Sequence, residues 1–400
     1  MRHFLKLFLL AAALLVVSFY AGGTFALGET TNSSEATGDV PAVDAPPAGT
    51  DGGTTTGYQE KDIRMNRLDN LLFNSQNSLL IAGCNKGQGG CIRFWAIEDG
   101  KLKHSEELGN EIWAFLVSLS HDGKFLAAAL SSNERGCYSI EKKKWMWKTN
   151  WGREGMGEVL LFTPDDQRIV ANGSENILYY DAKTGKILKT QKEPLNNYPP
   201  RGGTLEQIVI SSDAKYIVIW QMTPRALAGH GILGRLFANK KIVIWDLEKV
   251  EEVASLRKDR EICSAVFTPA EEHVIFGTED GHIQAWDFSA QKIVRDWKVY
   301  NSAASENPTA VDAISISPAG KYLATLASSK WKGYSIKIWE YSTNKLVHEF
   351  SGVAAQSSVR GCWLYPMAFS PDGKYFAFEQ NGKLCLYDTQ MWVEKWCVDS

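Results

Sequence analysis

One phrase recurs seven times along this chain, and that repeat limits the fold more than any other feature of the sequence. Each copy is an alternating apolar run, a turn of Ser, Pro, Asp, Gly or Asn, and a second apolar run. The copies are NLLFNSQNSLLIAG, AFLVSLSHDGKFLAAAL, EVLLFTPDDQRIVANG, QIVISSDAKYIVIW, SAVFTPAEEHVIFGT, DAISISPAGKYLATL and PMAFSPDGKYFAFEQ. Period-two alternation of Val, Ile, Leu and Phe about a tight polar turn predicts a β-hairpin. A third strand and a short turn follow each hairpin, as in IVIWDLEKVEEV, IQAWDFSAQKIV and IKIWEYSTNKLV, and a fourth strand closes the unit. Four antiparallel strands, repeated at about 43 to 57 residues, predict an all-β chain folded as a seven-bladed β-propeller of four-stranded antiparallel blades. A single unit would leave two apolar faces in water, whereas a ring buries each face against a neighbour.

The N-terminus reads differently. MRHFLK leads into Leu7–Gly28, which carries no charge, the pattern of a secretion signal or of a membrane anchor. Thr24 and Ala26 supply small residues at a cleavage spacing, and the length of the run suits a spanning helix, so residues 1–26 are a signal peptide or an N-terminal anchor. Arg2 and Lys6 hold the N-terminus inside in either case, which places the rest outside the cytoplasm, periplasmic or secreted, or tethered if the segment stays. Residues 27–60 are small, polar and acidic, too poor in apolar groups to offset chain entropy, and are expected to be a disordered linker to a propeller over 61–400. Without the first 60 residues, 41 basic and 40 acidic groups remain, a balance that, with the exported location, argues against nucleic acid or a membrane surface as partner, a membrane being expected only through the N-terminal segment if it stays.

At the ends of the third strands the chain resembles the WD-repeat family. Trp245-Asp246 and Trp286-Asp287 are the name-giving pair, and Trp339-Glu340, Tyr180-Asp181 and Tyr387-Asp388 are near variants, over roughly residues 65 to 398. The resemblance implies a propeller that works as a protein-binding scaffold. It departs from the family where a Gly-His pair should precede the first strand of each blade. Gly229-His230 and Gly281-His282 fall between second and third strands instead, which implies an incomplete Asp-His-Ser/Thr-Trp hydrogen-bond network and a likeness to divergent bacterial propellers. DAKTGKILKT and KKKWMWKT also resemble turns of pyrroloquinoline-quinone-type propellers, so a small-molecule-binding or redox propeller is the rival reading, carried by two blades.

Lys142–Arg153, KKKWMWKTNWGR, poses a choice between a basic-aromatic surface patch and an ordinary turn and outer strand. Alignment with ILYYDAKTGKILKT favours the second: Lys142, Lys143 and Lys144 in an exposed turn, and Trp145, Met146 and Trp147 in the outer strand of the second blade. If strands alternate direction, the first-to-second and third-to-fourth turns share one face of the ring and are short throughout. The other face holds nearly all length variation, and binding residues concentrate on such loops. Expected there for partner binding are Trp151, Arg153, Tyr198, Arg201 and Arg225, together with His230, Arg235, Trp331, Arg360 and Trp363. The insertion Gln221–Lys241 carries Arg225, Arg235, Lys240 and Lys241 without an acid around an apolar centre, which fits a protein partner with an acidic rim or, on the plainer reading, a lid over the channel.

Catalytic signals are missing. No GxSxG, CxxC, CxxCH or HExxH occurs, and no catalytic residue, cofactor or metal is expected. The pairs Asp165-Asp166 and Glu271-Glu272 fall in short turns, where solvated turn residues explain them, and His104, His121, His273 and His348 stand singly. Among seven cysteines, Cys84 with Cys91 and Cys385 with Cys397 flank turns at cross-strand positions, where disulfides or buried thiols would fit.

Overall fold

Apolar side chains on both sides of every strand pair force each sheet to find a partner for each face, and the structure meets that demand with a ring. It is a computed structural model that describes residues 67–85, 90–112, 117–130, 134–150, 160–172, 176–192, 205–211, 213, 215–222, 241–249, 251–257, 260–300, 310–329, 333–353 and 367–399. These residues form seven antiparallel blades of four consecutive strands, the arrangement expected from the repeat, with no helix among them.

Blade 1 comprises β1 (Arg67–Phe73), β2 (Leu79–Asn85), β3 (Gly90–Glu98) and β4 (Lys101–Ile112). Blade 2 comprises β5 (Val117–Leu119), β6 (Phe125–Leu130), β7 (Glu134–Ser139) and β8 (Lys144–Asn150). Blade 3 follows with β9 (Leu160–Phe162), β10 (Arg168–Asn172), β11 (Asn176–Asp181) and β12 (Ile187–Lys192). Blade 4 is β13 (Leu205–Ile210), β14 (Tyr216–Met222), β15 (Lys241–Asp246) and β16 (Glu251–Arg257). Blade 5 is β17 (Ile262–Phe267), β18 (His273–Thr278), β19 (His282–Asp287) and β20 (Lys292–Lys298). Blade 6 is β21 (Ala313–Ile316), β22 (Tyr322–Ser329), β23 (Gly333–Glu340) and β24 (Lys345–Val353). Blade 7 ends the ring with β25 (Met367–Phe369), β26 (Tyr375–Gln380), β27 (Lys383–Asp388) and β28 (Glu394–Asp399).

Each of the seven interfaces is one apolar cluster shared by two blades. The aromatic residue near the end of each third strand enters the cluster with the preceding blade: Trp286 with blade 4, Trp339 with blade 5, Tyr387 with blade 6. Blade 7 meets blade 1 in the same way, with Trp95 beside Ala377, Leu384 and Leu386. The ring therefore closes by packing, and blade 7 keeps its own outer strand β28. The acid after the aromatic caps the next turn. Asp246 Oδ1 accepts the Glu248 and Lys249 N–H groups at 2.9 and 2.8 Å, and Asp388 Oδ1 those of Gln390 and Met391 at 2.9 and 3.1 Å.

Opposite that aromatic the outer strand carries a β-bulge in every blade. In blades 2 to 6 the extra residue is apolar and points out of the rim: Met146, Leu188, Val253, Val294 and Val347, between 36% and 52% exposed. A bulge breaks the ladder and increases local twist, which blunts an open edge against strand addition.

Cys385 and Cys397 form a disulfide between β27 and β28. Cys91 is disulfide-bonded and lies opposite Cys84 in the β2–β3 register; the side chain of Cys84 lies outside the described residues. Cys137 is a buried thiol, and burial pushes its pKa up to about 12.

Blades meet closely at Gly277, where an added Cβ would lie 2.5 Å from Val311 Cβ and 2.8 Å from Ser264 Oγ. Gly277→Ala should lower stability by about 1–3 kcal/mol through overpacking. Denaturant unfolding of Gly277→Ala, Val311→Ala and the double variant checks it, since the double variant should recover part of the loss.

Candidate interaction face

The two faces of the ring differ in what their connections do. On the face of short turns, side chains tie neighbouring blades together. Ser120, Thr163, Ser211 and Ser370 each donate to the aspartate two residues on, Asp122, Asp165, Asp213 and Asp372, at 2.5–2.8 Å. Those aspartates accept a backbone N–H from Lys124, Gln167, Lys215 and Lys374 in turn. A second layer crosses between blades. Asp166 accepts the His121 and Asp122 N–H groups at 2.7 and 2.9 Å, Glu271 that of Asp213 at 2.9 Å, and Asn77 that of Asp372 at 3.3 Å across the ring closure.

Asn77, Asp166 and Glu271 hold φ of 57°, 54° and 58°, the left-handed position that Gly123, Gly320 and Gly373 fill in blades 2, 6 and 7. The carboxylate pairs lie in short turns as expected, but where solvated residues were expected Asp165 caps its own turn and Asp166 and Glu271 bond to the neighbouring blade. Asp165 is held below the ordinary aspartate range chiefly by the Thr163 hydroxyl. Burial raises Asp122 and Asp372, but hydrogen bonds from their own turns and the charges of Lys124 and Lys374 outweigh it, and both also lie below 3.8.

The opposite face carries the second-to-third and inter-blade connections. Its described corners are fixed by polar contacts. At blade 5, Arg260 Nε lies 3.1 Å from Asp280 Oδ2, while Asp296 takes His282 Nδ1 at 2.8 Å and Gln284 Nε2 at 2.6 Å. Between blades 5 and 6, Trp339 Nε1–H donates to Thr325 Oγ1 at 3.0 Å. The buried Tyr300 hydroxyl stands 2.8 Å from the Thr325 carbonyl, 3.0 Å from that of Ser335 and 3.2 Å from Thr325 Oγ1. Tyr300 lies just after β20, at the start of the connection to blade 6. In blade 5 the matching Trp286 finds no acceptor among the described residues, and β18 offers Phe276 where β22 offers Thr325.

The ten residues expected to bind a partner, Trp151, Arg153, Tyr198, Arg201, Arg225, His230, Arg235, Trp331, Arg360 and Trp363, all lie outside the described residues. The strand ends that flank them, such as Met222 of β14 and Lys241 of β15, belong to this face. Sequence reading missed Tyr300, whose only signal is its place directly after the last strand of blade 5. It also missed Arg135, fully buried on β7 between blades 2 and 3, with its guanidinium 4.7 Å from the Tyr180 ring centre.

No family model and no curated protein sequence matches this chain. Among solved structures it is similar to the beta-propeller domain of Cps50 (Swd1) from Myceliophteria thermophila, with a TM-score of 0.58 and 14% identity over 79% of this chain and 94% of that one. The likeness shows the fold. The class defined is a seven-bladed β-propeller, WD-repeat-like in the third-strand aromatic-acid pairs.

Two outcomes follow. Tyr300→Phe removes a buried hydroxyl from two carbonyls and should cost about 1–3 kcal/mol in urea unfolding. The lowered aspartates contribute stability that is complete above 3.8, their unfolded value, and is lost as pH falls through the folded values. The unfolding temperature should therefore drop as pH falls below 3.8, and less steeply in the double variant Asp165→Asn/Asp372→Asn, as calorimetry would show.

Proposed function

We propose that the chain is a non-catalytic propeller scaffold that binds another protein outside the cytoplasm through the long connections of one face. The observation that carries this reading is the contrast between faces. Turns on one side are short and saturated by their own caps, so they offer few unsatisfied groups to a partner. Connections on the other side hold the length variation and the ten aromatic and cationic candidates, on strand ends fixed by the blade 5 and blade 6 contacts. The Gln221–Lys241 insertion, cationic about an apolar centre, fits a partner surface with an apolar middle and an acidic rim. Export through residues 1–26 supports an extracytoplasmic site of action, and the Cys385–Cys397 disulfide is in keeping with an oxidising compartment. Divided polar groups and capped carboxylates on the short-turn face favour binding over chemistry.

Replacing residues 225–238 by an Asn-Gly turn should leave the unfolding temperature nearly unchanged and abolish capture of the partner. Crosslinked affinity capture from the envelope fraction, with full chain and shortened variant side by side, checks it. Loss of folding would make the insertion part of the core. Capture of no protein by either form would favour the quinone-type or small-molecule reading instead.

A further inference from the structure

We propose that the outer rim of blades 2 and 3 is a docking surface for an anionic lipid bilayer. The surface is separate from the loop face and does not rest on the function proposed there. Its first component is charge. Lys142, Lys143, Lys144 and Lys148 are exposed on β8 and its turn, and Lys183, Lys186 and Lys189 on β12 and its turn. No acid occurs in 142–150 or in 182–192. Lys143 reaches Glu106 at 3.2 Å, and the other six make no ion pair among the described residues. Glu141 and Asp181 head the two turns, and Asp181 is engaged by the Thr184 hydroxyl at 2.7 Å.

The second component is apolar. Bulges turn Met146 and Leu188 straight out of the rim, 36% and 52% exposed, and Ile187 beside Leu188 is 51% exposed. The tryptophans of KKKWMW point the other way. Trp145 packs edge-on against Tyr138 at 5.3 Å, and Trp147 stacks on Tyr180 at 6.1 Å. Trp147 also makes the two blades one surface: its Nε1–H donates to the Ala182 carbonyl at 2.8 Å, and a Cβ on Gly185 would lie 2.5 Å from its ring. The lysines of the blade 3 turn are thereby fixed beside those of β8.

Geometry selects the occupant. The patch lies on the convex outside of a ring, with charges spread over two blades instead of converging on a cleft, which suits a plane of lipid phosphates better than a peptide. Bulges in β8 and β12 interrupt the ladder that an added strand would need. Lysine heads at the phosphate level with apolar studs entering the interface is the arrangement of a peripheral membrane surface. On blade 4 the composition differs: the bulge residue Val253 of β16 is flanked by the exposed Glu251 and Glu252.

The test uses the full chain with Cys362→Ser, labelled with an environment-sensitive fluorophore at Leu188→Cys or at the matching rim position Val253→Cys of the acidic blade 4 strand. Vesicles of phosphatidylglycerol with phosphatidylcholine should blue-shift the Leu188→Cys probe, and pure phosphatidylcholine should not. Lys144→Gln/Lys148→Gln/Lys186→Gln/Lys189→Gln should weaken the effect at least tenfold with an unchanged unfolding temperature, and added salt should weaken it as well. An unshifted Leu188→Cys probe, or an equal shift at Val253→Cys, overturns the proposal. A shift with soluble polyglutamate but none with vesicles also overturns it and assigns the patch to an acidic protein.

Discussion

A blade with apolar side chains on both faces cannot stand alone in water, and the contact between successive blades is therefore the interaction on which the rest of this structure depends. Each contact is built about the third-strand aromatic, which leans on the blade before it. Trp286 reaches the blade 4 cluster, Trp339 that of blade 5, and Trp95 that of blade 7. Because the last of these is made by the first blade, the ring has no exposed end blade. Loss of volume or excess of volume at any one interface opens the same closed ring, so Gly277, pressed against Val311, matters to the whole.

The same aromatic organises the rim and the short-turn face. Its bulk coincides with the bulge in the outer strand, and the bulge turns one residue per blade outward. The acid that follows it caps the next turn, so one dipeptide handles packing, edge protection and turn closure at once. On that face, Asp166, Glu271 and Asn77 add lateral ties between blades whose backbone N–H groups would otherwise face water. The opposite face is left to carry loops, which a rigid closed ring tolerates because inserted length disturbs no interface.

Much of this was legible in the sequence. Period-two alternation and turn residues gave blade number, strand order and the Trp-Asp positions, because those depend on local patterning. The fate of KKKWMW was largely legible too, since alignment with the third blade puts Lys142 and Lys143 in the turn and its aromatics in the strand, although Lys144, expected in the turn, opens β8. Other features depend on what faces a residue across a blade boundary, which one sequence does not display. Tyr300 is held at the blade 6 corner only because Thr325 and Ser335 lie beside it. Met146 reads as one more apolar strand residue, and only the register Cys137↔Trp147, Tyr138↔Trp145 shows it to be the bulge. The loops announced themselves by length and composition, which mark a face but do not fix which of their side chains meet.

Net charge misleads in the same way. A balance of 41 basic and 40 acidic groups over residues 61–400 rules out attraction to a bulk polyanion at long range. It does not describe what a surface feels at contact, because charges more than about 8–10 Å apart are largely screened at physiological salt. A partner therefore reads the rim patch by patch. Blades 2 and 3 present lysines on strands without acids, whereas Glu251 and Glu252 of blade 4 offset them only in the sum. Neutrality of the whole is thus compatible with a strongly cationic arc. That arc also holds the two bulge residues Met146 and Leu188, so charge and apolar contact act on the same partner at the same place.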